Sequence, residues 1–213
     1  MPRDGKPGFA AFGDCVAAST PLRSVRNDFS AVLLAGGESS RMGRDKATLD
    51  WRGVPLWACQ VEKLRALTSN IFVSTRFAVP WRPPGVHLVI DESPSRGPLS
   101  GLTASLAMME TDYLLALAVD MPFITVSHLR KICDCARPGV GVVPVVNGKM
   151  EPLAAVYPKR AESIFAEALR GSDYSLQRLV GRLAELEFIR EIPIAAAAGR
   201  FYRSLNYPAD LQF

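Results

Sequence analysis

The chain has 213 residues, 48% of them hydrophobic and 22% charged, enough for one well-packed domain and short for two large ones. Its formal net charge of +4 suits an anionic ligand, while the lack of a Lys/Arg block or of basic residues interleaved with aromatics speaks against nucleic acid. No apolar run reaches the roughly 20 residues of a membrane helix, and MPRDGKPGFAAFGDCVAAST has no signal-peptide core, so no membrane association and a cytoplasmic location are expected.

Residues 1–28 show no periodicity and are rich in Gly, Pro and Ser. They are expected to form a tail, disordered or packed as an irregular arm, ahead of a single domain at 29–213. From Phe29 strand and helix patterns alternate. Ala31–Ala35 reads as a strand, and about Pro55–Leu67 as a helix with Trp57, Val61 and Leu64 on one face and Pro55 in its first turn. IFVS (71–74) and HLVI (87–90) read as strands, about Leu99–Met109 as a helix, and YLLALAV (113–119) as a buried strand of the parallel kind. Ser127–Cys135 follows as a helix and VGVVPVV (140–146) as a strand. MEPLAAVYP (150–158) reads as one further strand, 159–169 and 175–183 as helices, the second capped by Ser172 or Asp173, and Phe188–Pro193 as a late strand. The predicted fold class is α/β: a single doubly wound, mostly parallel sheet with helices on both faces.

The cysteines are Cys15, Cys59, Cys133 and Cys135, and the histidines His87 and His128. The Cys-x-Cys pair lacks the second pair of a zinc site, so the four read as reduced thiols, with a redox or metal role as the alternative.

Ligands of such sheets bind beyond the carboxyl ends of the strands. That rule selects GGESSRMGRDK after the first strand, STR (74–76), DESPSRGPLSG (91–101) and DMPF (120–123). Gly36 and Gly37 let backbone N–H groups converge on phosphate oxygens. Arg41 offers a bidentate contact and Lys46 a mobile point charge. The spacing fits neither a P-loop, G-x-x-x-x-G-K-[ST], nor a dinucleotide fingerprint, G-x-G-x-x-G. A surface turn with solvated charges is the plain alternative. Asp120 ends the central strand where helices cannot cover it, a suitable place for a carboxylate that binds Mg²⁺ together with substrate phosphates; a cap or turn former before Pro122 is the competing reading. Gly97 and Gly101 also read as turn and packing glycines, and Asn206 as a turn residue before Pro208.

The loop L-A-G-G-x-x-x-R-M-G-x-D-K at 34–46 resembles the signature of the nucleotidyltransferase superfamily, and its RMG-x-DK part is similar to the molybdenum cofactor guanylyltransferases. GPLSG (97–101), VDMPF (119–123), EPLAAVY (151–157) and LNYPADL (205–211) resemble further motifs of that family, in order. The resemblance implies transfer of GMP from GTP to the terminal phosphate of molybdopterin, with release of pyrophosphate and with Mg²⁺ on Asp120. It implies nucleotide contacts from Leu34, Ala35, Gly36, Gly37, Lys46, Asp91 and Asp120, and acceptor contacts from Arg41, Gly97, Gly101 and Asn206. Ser74 stands where some relatives carry asparagine, and serine still donates one hydrogen bond. Catalytic roles fall on Arg41, Lys46 and Asp120. The implied partners are the substrates GTP and molybdopterin, with transient contact to molybdoenzyme maturation proteins.

Two other functions fit parts of the pattern. The same loop serves cytidylyltransferases that act on molybdopterin or on small phosphorylated polyols and sugars. A catalytically silent nucleotide-binding adaptor in molybdoenzyme maturation is the alternative of another class; Arg41, Lys46 and Asp120, all present, argue against it.

Overall fold

Phe29–Leu34 forms β1, a strand buried along its whole length, because its alternate residues serve two different cores. Ala31 and Leu33 join one apolar cluster and Val32 and Leu34 the other, the pattern of a strand covered by helices on both sides. The computed structural model describes residues 29–36, 45–91, 94–205. The expected tail at 1–28, together with Gly37, Arg41 and Asn206, lies outside the described residues.

In chain order the elements after β1 are a two-residue hairpin, β2 (Asp50–Trp51) and β3 (Val54–Pro55), then α1 (Leu56–Arg65), β4 (Ile71–Thr75), β5 (His87–Ile90), α2 (Pro98–Met108) and β6 (Tyr113–Ala118). The second half holds α3 (Val126–Asp134), β7 (Gly141–Val146), β8 (Lys149–Met150), β9 (Val156–Pro158), α4 (Glu162–Arg170), α5 (Leu176–Glu185) and β10 (Ile189–Pro193). The main sheet runs β10-β7-β9-β6-β1-β4-β5, with β8 paired to β7. Every pair along that path is parallel except those of β9, which lies antiparallel between β6 and β7. The expected doubly wound, mostly parallel α/β sheet is therefore the one found. Apolar residues of α1 and α3 pack on one face, and those of α2, α4 and α5 on the other. The wholly buried Leu56, Val61 and Leu64 fix α1 to the first face, at roughly 1.5–3 kcal/mol for each such side chain.

Three local expectations are corrected. Pro55 does not begin the helix; it is extended (φ −61°, ψ 144°), closes the β2–β3 hairpin and is the N-cap of α1. Residues 150–158 are not one strand, because Pro152 starts a 3₁₀ turn at Pro152–Ala154 that separates β8 from β9. Ser175, rather than Ser172 or Asp173, caps α5 by accepting from the Arg178 N–H, while Asp173 accepts from the N–H of Ser175.

From β1 the chain builds outward through β4 to β5, then returns across the sheet to place β6 on the other side of β1. The carboxyl ends of β1 and β6 thus form the point where the winding reverses, the place where sheets of this type hold their ligands.

Candidate active site

A cleft opens at that reversal point, with about 560 Å³ of empty volume including its open mouth. Its wall is made by the end of β1 (Leu34–Gly36), Lys46, Ser74, Asp91, Gly97 and Pro98, the stretch Ala118–Asp120, and Leu153. Leu34 and Ala35 contribute mainly apolar wall, because the Leu34 C=O accepts from the Val119 N–H (3.1 Å) and the Ala35 N–H donates to the Ser74 carbonyl (2.8 Å). At Gly36 a Cβ would lie 3.2 Å from the Arg76 backbone and 3.4 Å from an Asp91 oxygen, so a side chain there would crowd the β4 and β5 loops.

Lys46 and Asp120 face each other across the cleft, Nζ to Oδ2 at 3.0 Å, with side chains 18% and 21% exposed. Each is held by its backbone. Lys46 opens a 3₁₀ turn (Lys46–Thr48) capped by Asp45, whose Oδ1 accepts from the Ala47 N–H at 2.9 Å. The second oxygen of Asp45 accepts from the Trp81 indole at 3.3 Å, and Trp81 stacks on Trp57 of α1 with ring centroids 5.3 Å apart. Beyond β6 every carbonyl from Ala118 to Pro122 has a donor. Gln60 Nε2 serves Ala118 (3.2 Å) and Val119 (3.4 Å), the Leu205 N–H serves Asp120 (2.8 Å), the Ile124 N–H serves Met121 (3.4 Å) and Lys63 Nζ serves Pro122 (2.7 Å). Burial lowers the Lys63 pKa, an effect the neighbouring Cys59 partly offsets. Leu205 is delivered by a 3₁₀ segment, Ala196–Tyr202, pinned by Tyr202 to the buried His128 at 2.8 Å. Burial, with Lys131 adding to it, pushes His128 down to about 4.

On the opposite side Asp91 is 8% exposed, with both oxygens occupied. Ser74 Oγ donates to Oδ1 (3.0 Å) and Ser95 Oγ to Oδ2 (2.7 Å), and the Ser95 hydroxyl also accepts from the Gly97 N–H (3.2 Å). Gly97 has φ +65°, caps α2 and has open space where a Cβ would stand. Gly101 differs: a Cβ there would lie 2.1 Å from Ser74 Oγ, so its bareness lets α2 approach β4.

Leu34, Ala35, Gly36, Lys46, Ser74, Asp91, Gly97 and Asp120 therefore meet in one cleft, while Gly101 is buried one turn behind it. Sequence reasoning missed Gln60, Lys63, Trp81 and Ser95. Only Ser95, three residues before Pro98 in the quoted loop, carried a signal; the others act on loops distant in sequence. Among the described residues no group of three or more His, Cys, Asp or Glu could hold a metal by itself. The donor set nevertheless fits Mg²⁺, which commonly takes one carboxylate and fills its remaining positions with substrate phosphates and water. Asp120, partly exposed at the cleft, is the carboxylate that could take this place. Cys59 and Cys133 are free thiols, and burial pushes the Cys133 thiol up, away from reactivity.

The profile of the MobA-like NTP transferase domain matches residues 31–186, the stretch that builds this cleft. The chain belongs to the MobA-like NTP transferases. The chain is 33% identical over 195 residues to the molybdenum cofactor guanylyltransferase of Pseudomonas putida, covering 90% of this chain and 100% of that one. It is likewise 33% identical over 165 residues to the molybdenum cofactor guanylyltransferase of Pseudomonas fluorescens, with 75% and 82% covered. Among solved structures, the molybdopterin-guanine dinucleotide biosynthesis protein A of Archaeoglobus fulgidus superposes with TM-score 0.65 at 22% identity, covering 86% of this chain and 95% of that one. The 2-C-methyl-D-erythritol 4-phosphate cytidylyltransferase of Thermus thermophilus gives TM-score 0.62 at 17% identity, with 85% and 94% covered. The two structures share the MobA-like fold with this chain. Among the described residues no helix is long and apolar enough to cross a membrane.

Proposed function

We propose that the protein is a molybdenum cofactor guanylyltransferase, transferring GMP from GTP to the terminal phosphate of molybdopterin. The observation that carries the reading is the Lys46–Asp120 pair at the carboxyl ends of β1 and β6, in a chain whose full-length relatives are named for that reaction. A phosphate oxygen of the acceptor attacks the α-phosphorus of GTP in line; an O–P bond forms, the bond to the β-phosphate oxygen breaks, and pyrophosphate leaves. The nucleophile is already ionised near neutral pH, so the site needs no general base.

The protein's work is alignment and charge compensation. Lys46 exchanges part of its contact with Asp120 for phosphate oxygens and takes up charge that grows on the leaving pyrophosphate. Arg41 supplies a second cation on the acceptor side. Leu34, Ala35, Gly36 and Gly37 bound the nucleotide, and Asp91, with Ser74 and Ser95, fixes the loop against which it rests. Gly97, its φ positive and its Cβ position open, lets the acceptor approach backbone closely, Asn206 is assigned a further acceptor contact, and Gly101 acts from behind the cleft by letting α2 pack on β4. Asp120 would hold Mg²⁺ together with the substrate phosphates, and the ion would supply electrostatic stabilisation of the transferring phosphoryl group.

Calorimetry tests the assignment. GTP with Mg²⁺ binds in preference to CTP; equal affinity for the two overturns the guanylyl assignment and leaves the nucleotidyltransferase family standing.

A further inference from the structure

We propose that Gln60 and Lys63, side by side on α1, are positioning residues that aim the Asp120 carboxylate. The inference rests on the reading of Asp120 given above. Gln60 has no exposed surface. Its Nε2 donates to the carbonyls of both residues that precede Asp120, and its Oε1 has no partner. An unpartnered acceptor buried away from water is costly, and flipping the amide would set Oε1 against two carbonyl oxygens. An apolar side chain of the same length would fill the space without that cost. What the glutamine alone provides is the pair of contacts to Ala118 and Val119.

Lys63, three residues on and so on the same helical face, repeats the arrangement. Its half-buried ammonium, which also meets Cys59, donates to the carbonyl of Pro122, two residues after Asp120, at 2.7 Å. Asp120 is thereby gripped from both sides by one helix. The same face carries Trp57, which stacks on the Trp81 that holds Asp45 and with it the turn of Lys46. Residues 57, 60 and 63 of α1 thus fix both members of the Lys46–Asp120 pair, although none of them lines the cleft. A rotation or shift of α1 would change the spacing of that pair, so the helix sets the distance across which phosphates and metal must fit.

The test uses the full chain with GTP, and Mn²⁺ as a spectroscopically visible stand-in for Mg²⁺. Gln60→Met keeps length and bulk and removes both polar groups. Its melting temperature should stay close to wild type, while Mn²⁺ affinity in the presence of GTP, read by electron paramagnetic resonance without turnover, falls about tenfold or more, as is typical when a partner behind a metal ligand is lost. The Mg²⁺ concentration for half-maximal turnover rises in step. Ser105→Ala removes a different buried polar atom without a partner, a hydroxyl, far along α2 from Asp120, and should leave Mn²⁺ affinity unchanged. If Gln60→Met proves too unstable to assay, Lys63→Met takes its place and must weaken Mn²⁺ in the same way. Unchanged Mn²⁺ affinity in a folded Gln60→Met or Lys63→Met protein overturns the proposal. A wild-type protein that binds GTP without taking up Mn²⁺ overturns the reading of Asp120 first, and the brace with it.

Discussion

Two aspartates end neighbouring parts of the same cleft, and they are used in opposite ways. Asp91 is nearly buried, and serine hydroxyls occupy both of its oxygens. Asp120 keeps 21% of its side chain exposed and meets a single lysine at 3.0 Å, while its backbone is held by Leu205 and its neighbours by Gln60 and Lys63. In the first, the carboxylate is the structural part: it ties the end of β4 to the loop entering α2. In the second, the backbone is the structural part, and the carboxylate is what the surroundings present. A site of this kind needs both, one carboxylate spent on shape and one kept available for charge.

The sharpest way to break this comparison is Asp120→Asn. The substitution is nearly isosteric and removes the charge, so turnover should fall on the order of a hundredfold or more while the melting temperature without ligand stays level or rises. Lys46→Ala should lose rate and nucleotide affinity together, and raised Mg²⁺ should restore Asp120→Asn more than it restores Lys46→Ala. Near-normal turnover of Asp120→Asn at low Mg²⁺ would reverse the roles and make Asp91 the metal carboxylate.

Gly101→Ala probes the shape side. Its Cβ would sit 2.1 Å from Ser74 Oγ, so Ser74 must release Asp91 or α2 must move, at a cost of about 1–3 kcal/mol; thermal unfolding should show it. Gly97→Ala meets no atom, yet φ +65° with ψ −145° is a backbone region open essentially to glycine alone, at a cost of about 1–3 kcal/mol, so its melting temperature should fall through the backbone while the Ser74–Asp91 contact is kept. Asp91→Asn weakens two charge-assisted hydrogen bonds, and calorimetry should find a loss of about 1–3 kcal/mol of stability together with a turnover defect much smaller than that of Asp120→Asn.

A further effect, confined to acid, concerns the support behind Asp120. His128 is held down at about 4 from its usual 6.5. The unfolded chain takes a proton as pH falls through 6.5, and the folded one resists until about 4. Stability is therefore complete above the upper value and lost progressively toward the lower, by at most about 3 kcal/mol. His128→Phe should flatten the acid limb of a melting-temperature profile measured from pH 7 to pH 4.

The sheet was legible in the sequence because β1, β4 and β6 are apolar runs of strand length, and because alternation and helical spacing both report burial. The cleft was legible because its residues lie at strand ends on glycine-rich loops. Punctuation within short segments was less so. Pro152 breaks the stretch 150–158, and Asn147–Gly148, both at positive φ, turns β7 into β8; the Asn-Gly pair is a hairpin signal that the continuous apolar pattern masked. The β2–β3 hairpin turns on Arg52 and Gly53 in the same conformation, with arginine in a place where asparagine would have announced it. Gln60 and Lys63 were illegible for a different reason. On a helical wheel they border the buried stripe of Val61 and Leu64, and only the fold reveals that the carbonyls of Ala118, Val119 and Pro122 end against them.

The central claim is the reaction itself, and the product decides it. Incubating the protein with molybdopterin, Mg²⁺ and each of GTP, CTP, ATP and UTP in turn, followed by mass analysis, should give the acceptor increased by one GMP, with pyrophosphate, in the GTP reaction alone. An acceptor increased by CMP instead, or no nucleotide transfer with any of the four, would contradict it.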